Sequence, residues 1–77
     1  MNEKIEQEVK AAVIDKMEQK PATLLLTDSL EQLGLDDLDK IEVVMKLEEA
    51  FLIEISDDDA DKFLVLNDMV SYIATVL

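Results

Sequence analysis

The sequence predicts an all-α fold: a small four-helix bundle with three long helices and one short one. Three observations carry this. Apolar residues recur at helical spacing in three separate segments. A single glycine and a single proline among 77 residues leave little material for the tight turns of an all-β chain. No strand pattern competes strongly, although Leu24–Leu26 and Phe51–Ile55 are locally ambiguous.

The first predicted helix covers residues 3 to 17. Ile5, Val9, Ala12, Val13 and Met17 form its apolar stripe and leave Glu, Gln and Lys outside. Pro21 stops this helix or its fraying tail, because it has no amide hydrogen to donate. Residues 19 to 36 form a long connection. Leu24, Leu25, Leu26 and Leu30 within it are expected to be buried across the helices. Thr27 or Asp28 starts a short turn through Ser29 to Leu33, and Gly34 ends it by adopting positive φ.

The second helix is predicted over residues 37 to 52, capped by Asp36 or Asp37, whose carboxylates can accept from the free amides of the first turn. A short third helix spans residues 57 to 62, with Ser56 as cap and Asp59 at the capping-box position. The fourth covers residues 65 to 77, with Leu66, Met69, Val70, Ile73 and Leu77 on one stripe. The length fits one domain over residues 1–77, with a thin core.

Composition removes several function classes. Without cysteine there is no disulfide and no thiolate metal site. Without histidine the usual neutral-pH acid/base and the commonest metal ligand are missing. No enzyme activity and no dedicated metal site are expected. Asp57, Asp58, Asp59 and Asp61 are dense, but they lack the glycine and terminal glutamate of a calcium loop, so at most they hold divalent cations weakly. Asp36, Asp37 and Asp39 have no partner base or nucleophile and read as helix-start acids. No signal peptide or membrane-length apolar run is visible, and the expected location is cytoplasmic.

The net charge is −12 and is unevenly spread. Residues 1 to 22 hold four lysines and five acids, whereas residues 23 to 77 hold three lysines and fourteen acids. Such a field repels nucleic acid and anionic membranes, and it draws in basic protein surfaces. It also serves plain solubility.

The run Leu33-Gly34-Leu35-Asp36-Asp37-Leu38-Asp39, then Ile41-Glu42-Val43-Val44-Met45, resembles the prosthetic-group site of acyl carrier proteins. The likeness continues through Leu47-Glu48-Glu49-Ala50-Phe51, Ile53-Glu54-Ile55 and Asp57-Asp58-Asp59-Ala60-Asp61-Lys62. It is strongest from Leu30 to Lys62 and rests mainly on pattern elsewhere. The resemblance implies a soluble, monomeric bundle of acyl carrier protein type in fatty acid or related acyl biosynthesis. Its serine would bear phosphopantetheine through a phosphodiester. In this chain Asp37 stands at that serine's position. A carboxylate has no hydroxyl to modify, so no cofactor is expected on the chain as it stands. Leu52, Phe63 and Leu66 are more apolar than the family pattern and could reshape its acyl cavity. Asp28-Ser29-Leu30 also reads Asp-Ser-Leu, but it precedes the Gly34 turn, and Ser29 reads as a turn or capping residue.

Helical spacing brings Leu38, Ile41 and Met45 together, while Val43, Leu47, Ala50 and Phe51 occupy another arc. From periodicity alone Ile41 and Met45 serve equally well as core residues. The resemblance puts the second arc in the core and makes the first a partner patch rimmed by Asp36, Asp39, Glu42, Glu48 and Glu49. Basic surfaces of acyl-processing enzymes or of a phosphopantetheinyl transferase fit such a patch. The alternative is a non-carrier regulatory or structural interaction module that uses the same acidic second helix.

Overall fold

The computed structural model describes residues 2–17 and 23–77. Four helices follow in order: α1 (Asn2–Lys16), α2 (Asp37–Phe51), α3 (Asp57–Asp61) and α4 (Leu66–Val76). The helix boundaries lie within a residue of those predicted, and three are long and one short. Pro21, the predicted stop of the first helix, lies outside the described residues.

The core forms where the helical stripes meet. α1 packs against both α2 and α4. Val9 and Val13 of α1, Val43 and Leu47 of α2, and Leu66, Met69 and Ile73 of α4 are fully buried. Burying a side chain of this size contributes about 1.5 to 3 kcal/mol, so these seven residues hold the bundle against the entropy of ordering so short a chain. Among the described residues no charged or polar side chain is buried, so the apolar core carries no desolvation penalty from such groups.

The connection before α2 is stitched to the segment before α4. Ser29 and Val65 form an isolated antiparallel bridge. Leu30 donates its amide to the Leu64 carbonyl at 3.0 Å, Leu66 to Asp28 at 3.1 Å and Asn67 to Leu26 at 2.9 Å. Asp68 closes the start of α4 by accepting from the Leu64 and Val65 amides at 2.9 and 3.0 Å. The described part of the connection is thus tied to the approach to α4 by backbone hydrogen bonds without becoming a strand.

Three expectations about burial need correction. Leu24 and Leu30 are buried and Leu26 partly so, but Leu25 faces solvent: it precedes a turn whose carboxylate, from Asp28, holds the Leu25 amide. Ala50 is exposed, because the core arc of α2 is narrower than predicted and is completed by Val44 instead. Leu77 is the C-cap residue, beyond the last turn of α4, and is exposed. Phe51 is half-buried against the core.

Candidate functional site

The start of α2 is set by a turn and a cap. Gly34, at φ 83°, reverses the chain; Gly34 donates to Glu31 at 3.0 Å and Leu35 to Leu30 at 3.0 Å. A side chain at that φ would be strained. Asp36 follows in extended conformation and accepts from the Asp39 amide at 2.8 Å. Asp39 reciprocates with the Asp36 amide at 3.3 Å, closing a capping box. Asp36 is therefore the cap. Asp37 is the first helical residue, and its exposed carboxylate stands free of that capping role. The reading of Asp37 as an alternative cap is corrected on this geometry: the capping residue must sit outside helical φ/ψ, and only Asp36 does so.

A groove of about 480 Å³ runs between α2 and α3, and Asp37 lines it. Its apolar surface comes from Ile41, Val44, Met45, Ile55 and Ala60. Lys40, Glu48, Asp57 and Asp61 complete the lining. An apolar trough with charged margins can shelter a flexible aliphatic body while its polar end stays in water. Leu52, Phe63 and Leu66, expected to reshape such a cavity, do not line this groove. Phe63 and Leu66 are core residues, with Phe63 edge-on to Tyr72 at 5.6 Å between ring centres, and Leu52 points into solvent.

The outer face of α2 carries the residues predicted to meet a partner. Leu38, Ile41 and Met45 are 53 to 62% exposed. Asp36 and Glu49 are exposed, and Asp39, Glu42 and Glu48 are intermediate. The structure brings all eight onto one helix and its cap, but it commits several carboxylates elsewhere. Glu42 pairs with Lys16 of α1, and that hydrogen bond is the main reason the lysine's pKa is raised above its ordinary value. Glu48 accepts from the Ile55 amide at 2.9 Å and ties the end of α2 to the approach to α3. Asp36 and Asp39 hold each other's amides.

Sequence reasoning passed over Lys40, Ile55, Asp57, Ala60 and Asp61 as parts of a single site. The signal for Lys40 was its place one turn after Asp37. The α3 residues reach the groove only through the turn after Phe51, which no local pattern announces. Among the described residues, no group of three or more histidine, cysteine or acidic side chains is arranged to hold a metal ion. No helix among them is long and apolar enough to cross a membrane.

A family model for the phosphopantetheine attachment site matches residues 7–73. The chain is 42% identical over 67 residues to an acyl carrier protein of Campylobacter fetus, covering 86% of this chain and 87% of the relative. An acyl carrier protein of Campylobacter jejuni gives the same identity and the same coverage. One from Chlamydia trachomatis is 39% identical over 70 residues, covering 90% of this chain and 91% of the relative. Proteins of this kind are carriers rather than enzymes, and they bear a covalently attached phosphopantetheine. By its helical bundle, by the match across most of its length and by these relatives, the chain belongs to the acyl carrier protein family.

Proposed function

We propose that this chain is an acyl carrier protein-like scaffold of fatty acid or related acyl biosynthesis that cannot take phosphopantetheine at residue 37. The observation that carries this reading is Asp37 itself: exposed, first in α2, beside an apolar groove and one residue after the Asp36 cap. Attachment of the prosthetic group needs a hydroxyl oxygen to form the phosphodiester, and a carboxylate offers none. The residue present therefore does not fit covalent loading. Ser29 is no substitute by position: it lies before the Gly34 turn and opens the turn that follows it, where its hydroxyl accepts from the Gln32 amide at 3.0 Å. Asp37 supplies negative charge where the phosphodiester's charge would lie, but no thiol for an acyl group.

The outer face of α2 is read as the docking surface. Leu38, Ile41 and Met45 enter an apolar recess on an acyl-processing enzyme or phosphopantetheinyl transferase. Asp36, Asp39, Glu42, Glu48 and Glu49 steer its basic rim. The chain acts as a single domain and a monomer in the cytoplasm.

A second reading keeps the same face and drops carrying altogether: a regulatory or structural module that occupies enzymes of the carrier's pathway. The apolar stripe on α2, complete without any prosthetic group, favours keeping it in play.

Intact mass after incubation with coenzyme A and a broad-specificity phosphopantetheinyl transferase tests the first reading. The chain as it stands gains no phosphopantetheine mass, and Asp37→Ser gains it. Modification of the unaltered chain would contradict the assignment of position 37. Failure of both chains to gain mass leaves the second reading in possession.

A further inference from the structure

Leu52 breaks two rules at once. It holds φ 55° and ψ 48°, in the left-handed region that a bulky side chain rarely adopts, and it is 90% exposed. Glycine or asparagine ends helices at this geometry with less strain. The leucine gains no burial in return, so nothing in the fold of this chain explains it.

Its position relative to the other exposed apolar residues does. At about 100° per residue, Leu38, Ile41 and Met45 project within a sector of about 60° around the α2 axis, and Leu52 follows as the C-cap, one residue past the last helical one. They span about 21 Å from the first to the last. Glu48 and Glu49 flank the far end of this line and Glu54 follows it, with no basic residue in the last turn of α2. Carboxylates there oppose the helix macrodipole, and only Glu48 is compensated within the fold, by the Ile55 amide.

We infer that Leu52 is a distal anchor of the α2 docking face, taken by an apolar pocket ringed with lysine and arginine on a partner protein. This rests on the reading of α2 as the docking surface and extends it to the end of the helix away from Asp37. Charge chooses the occupant. A second copy of this chain would bring a surface of net charge −12 against its like, and an anionic membrane is repelled for the same reason. A basic protein rim supplies the cations that the end of α2 lacks.

The test is binding of the full chain to a purified acyl-condensing enzyme of Campylobacter jejuni, alongside thermal melting, for the unaltered protein, Leu52→Gly, Leu52→Met and Met45→Ala. Leu52→Gly relieves the strained backbone and raises the melting temperature by about 4 to 8 °C, while weakening binding about tenfold or more. Leu52→Met keeps the apolar bulk and stays within about threefold of the unaltered affinity. A higher melting temperature with unchanged affinity for Leu52→Gly, while Met45→Ala weakens binding, overturns the Leu52 anchor and leaves the docking face standing. Unchanged affinity for both Leu52→Gly and Met45→Ala, or no binding by the unaltered chain, overturns the docking face and the anchor with it.

Discussion

Val43, Val44 and Leu47 lie on one side of α2 at 0 to 6% exposure, and Leu38, Ile41 and Met45 lie on another at 53 to 62%. Both sets are aliphatic or thioether side chains of similar size on one helix. Hydrophobicity does not separate them; the neighbour does. α1 packs against one side of α2, while the other meets solvent and a shallow groove toward α3. The difference teaches that an apolar residue on a short helix is a stabilising element only where another helix covers it. Left uncovered, it is free to be covered by a partner.

The largest effect that would break this contrast is on the covered side. Leu47→Ala, in a fully buried position, is expected to cost about 2 to 5 kcal/mol in urea denaturation. A loss below about 1 kcal/mol would mean that the core arc is wrongly drawn.

The two aspartates at the helix start sharpen the contrast next. Asp36→Ala removes the capping carboxylate and is expected to cost about 1 kcal/mol. Asp37→Ala is expected to stay within about 0.5 kcal/mol, because Asp37 caps nothing. Equal losses in the two denaturation curves would assign the cap to both residues.

On the uncovered side, Met45→Ala is expected to change stability by less than about 0.5 kcal/mol. A larger loss would make Met45 part of the core.

The smallest effect is alkaline. The pKa of Lys16 is raised, first by its hydrogen bond with Glu42, so its contribution is complete below the ordinary lysine value of 10.5 and is lost as pH climbs through the folded value. The pKa of Tyr72 is raised, first by desolvation and then by the nearby Asp59 carboxylate, so the neutral phenol is favoured in the fold. Its contribution is complete below the ordinary tyrosine value of 10.0 and falls above it. Melting temperature should therefore decline above about pH 10, and Tyr72→Phe should flatten part of that decline. A melting temperature that holds or rises across that range in the unaltered chain would contradict both assignments.

The helices were legible in the sequence because their stripes are regular: Ile5, Val9 and Val13 in α1, and Leu66, Met69, Val70 and Ile73 in α4, are buried as their spacing predicts. Leu25 and Leu77 depart from the burial their sequence suggests for a common reason. Each lies outside a helix or beyond its last turn, where periodicity no longer reports which way a side chain faces. Ala50 falls outside the core because the buried arc of α2 is narrower than its apolar spacing suggests. The identity of the cap, Asp36 rather than Asp37, depends on which residue is extended and which is helical, and two adjacent aspartates look alike to any capping rule. The commitments of Glu42 to Lys16 and of Glu48 to the Ile55 amide were invisible, because they join residues brought together by the packing of α1 and by the turn after α2. The practical consequence is that reversing Glu48 would disturb the fold as well as any docking rim, which makes Met45 the cleaner probe of that face.

The most direct measurement is the rate of phosphopantetheine transfer from coenzyme A to Asp37→Ser, compared with Asp37→Ser combined with Met45→Ala. Transfer to the single variant, slowed in the double variant at unchanged melting temperature, is the predicted result: a carrier scaffold silenced at one residue, with a docking face that the fold itself does not need. Absence of transfer to Asp37→Ser, in a chain that melts as the unaltered protein does, would contradict it.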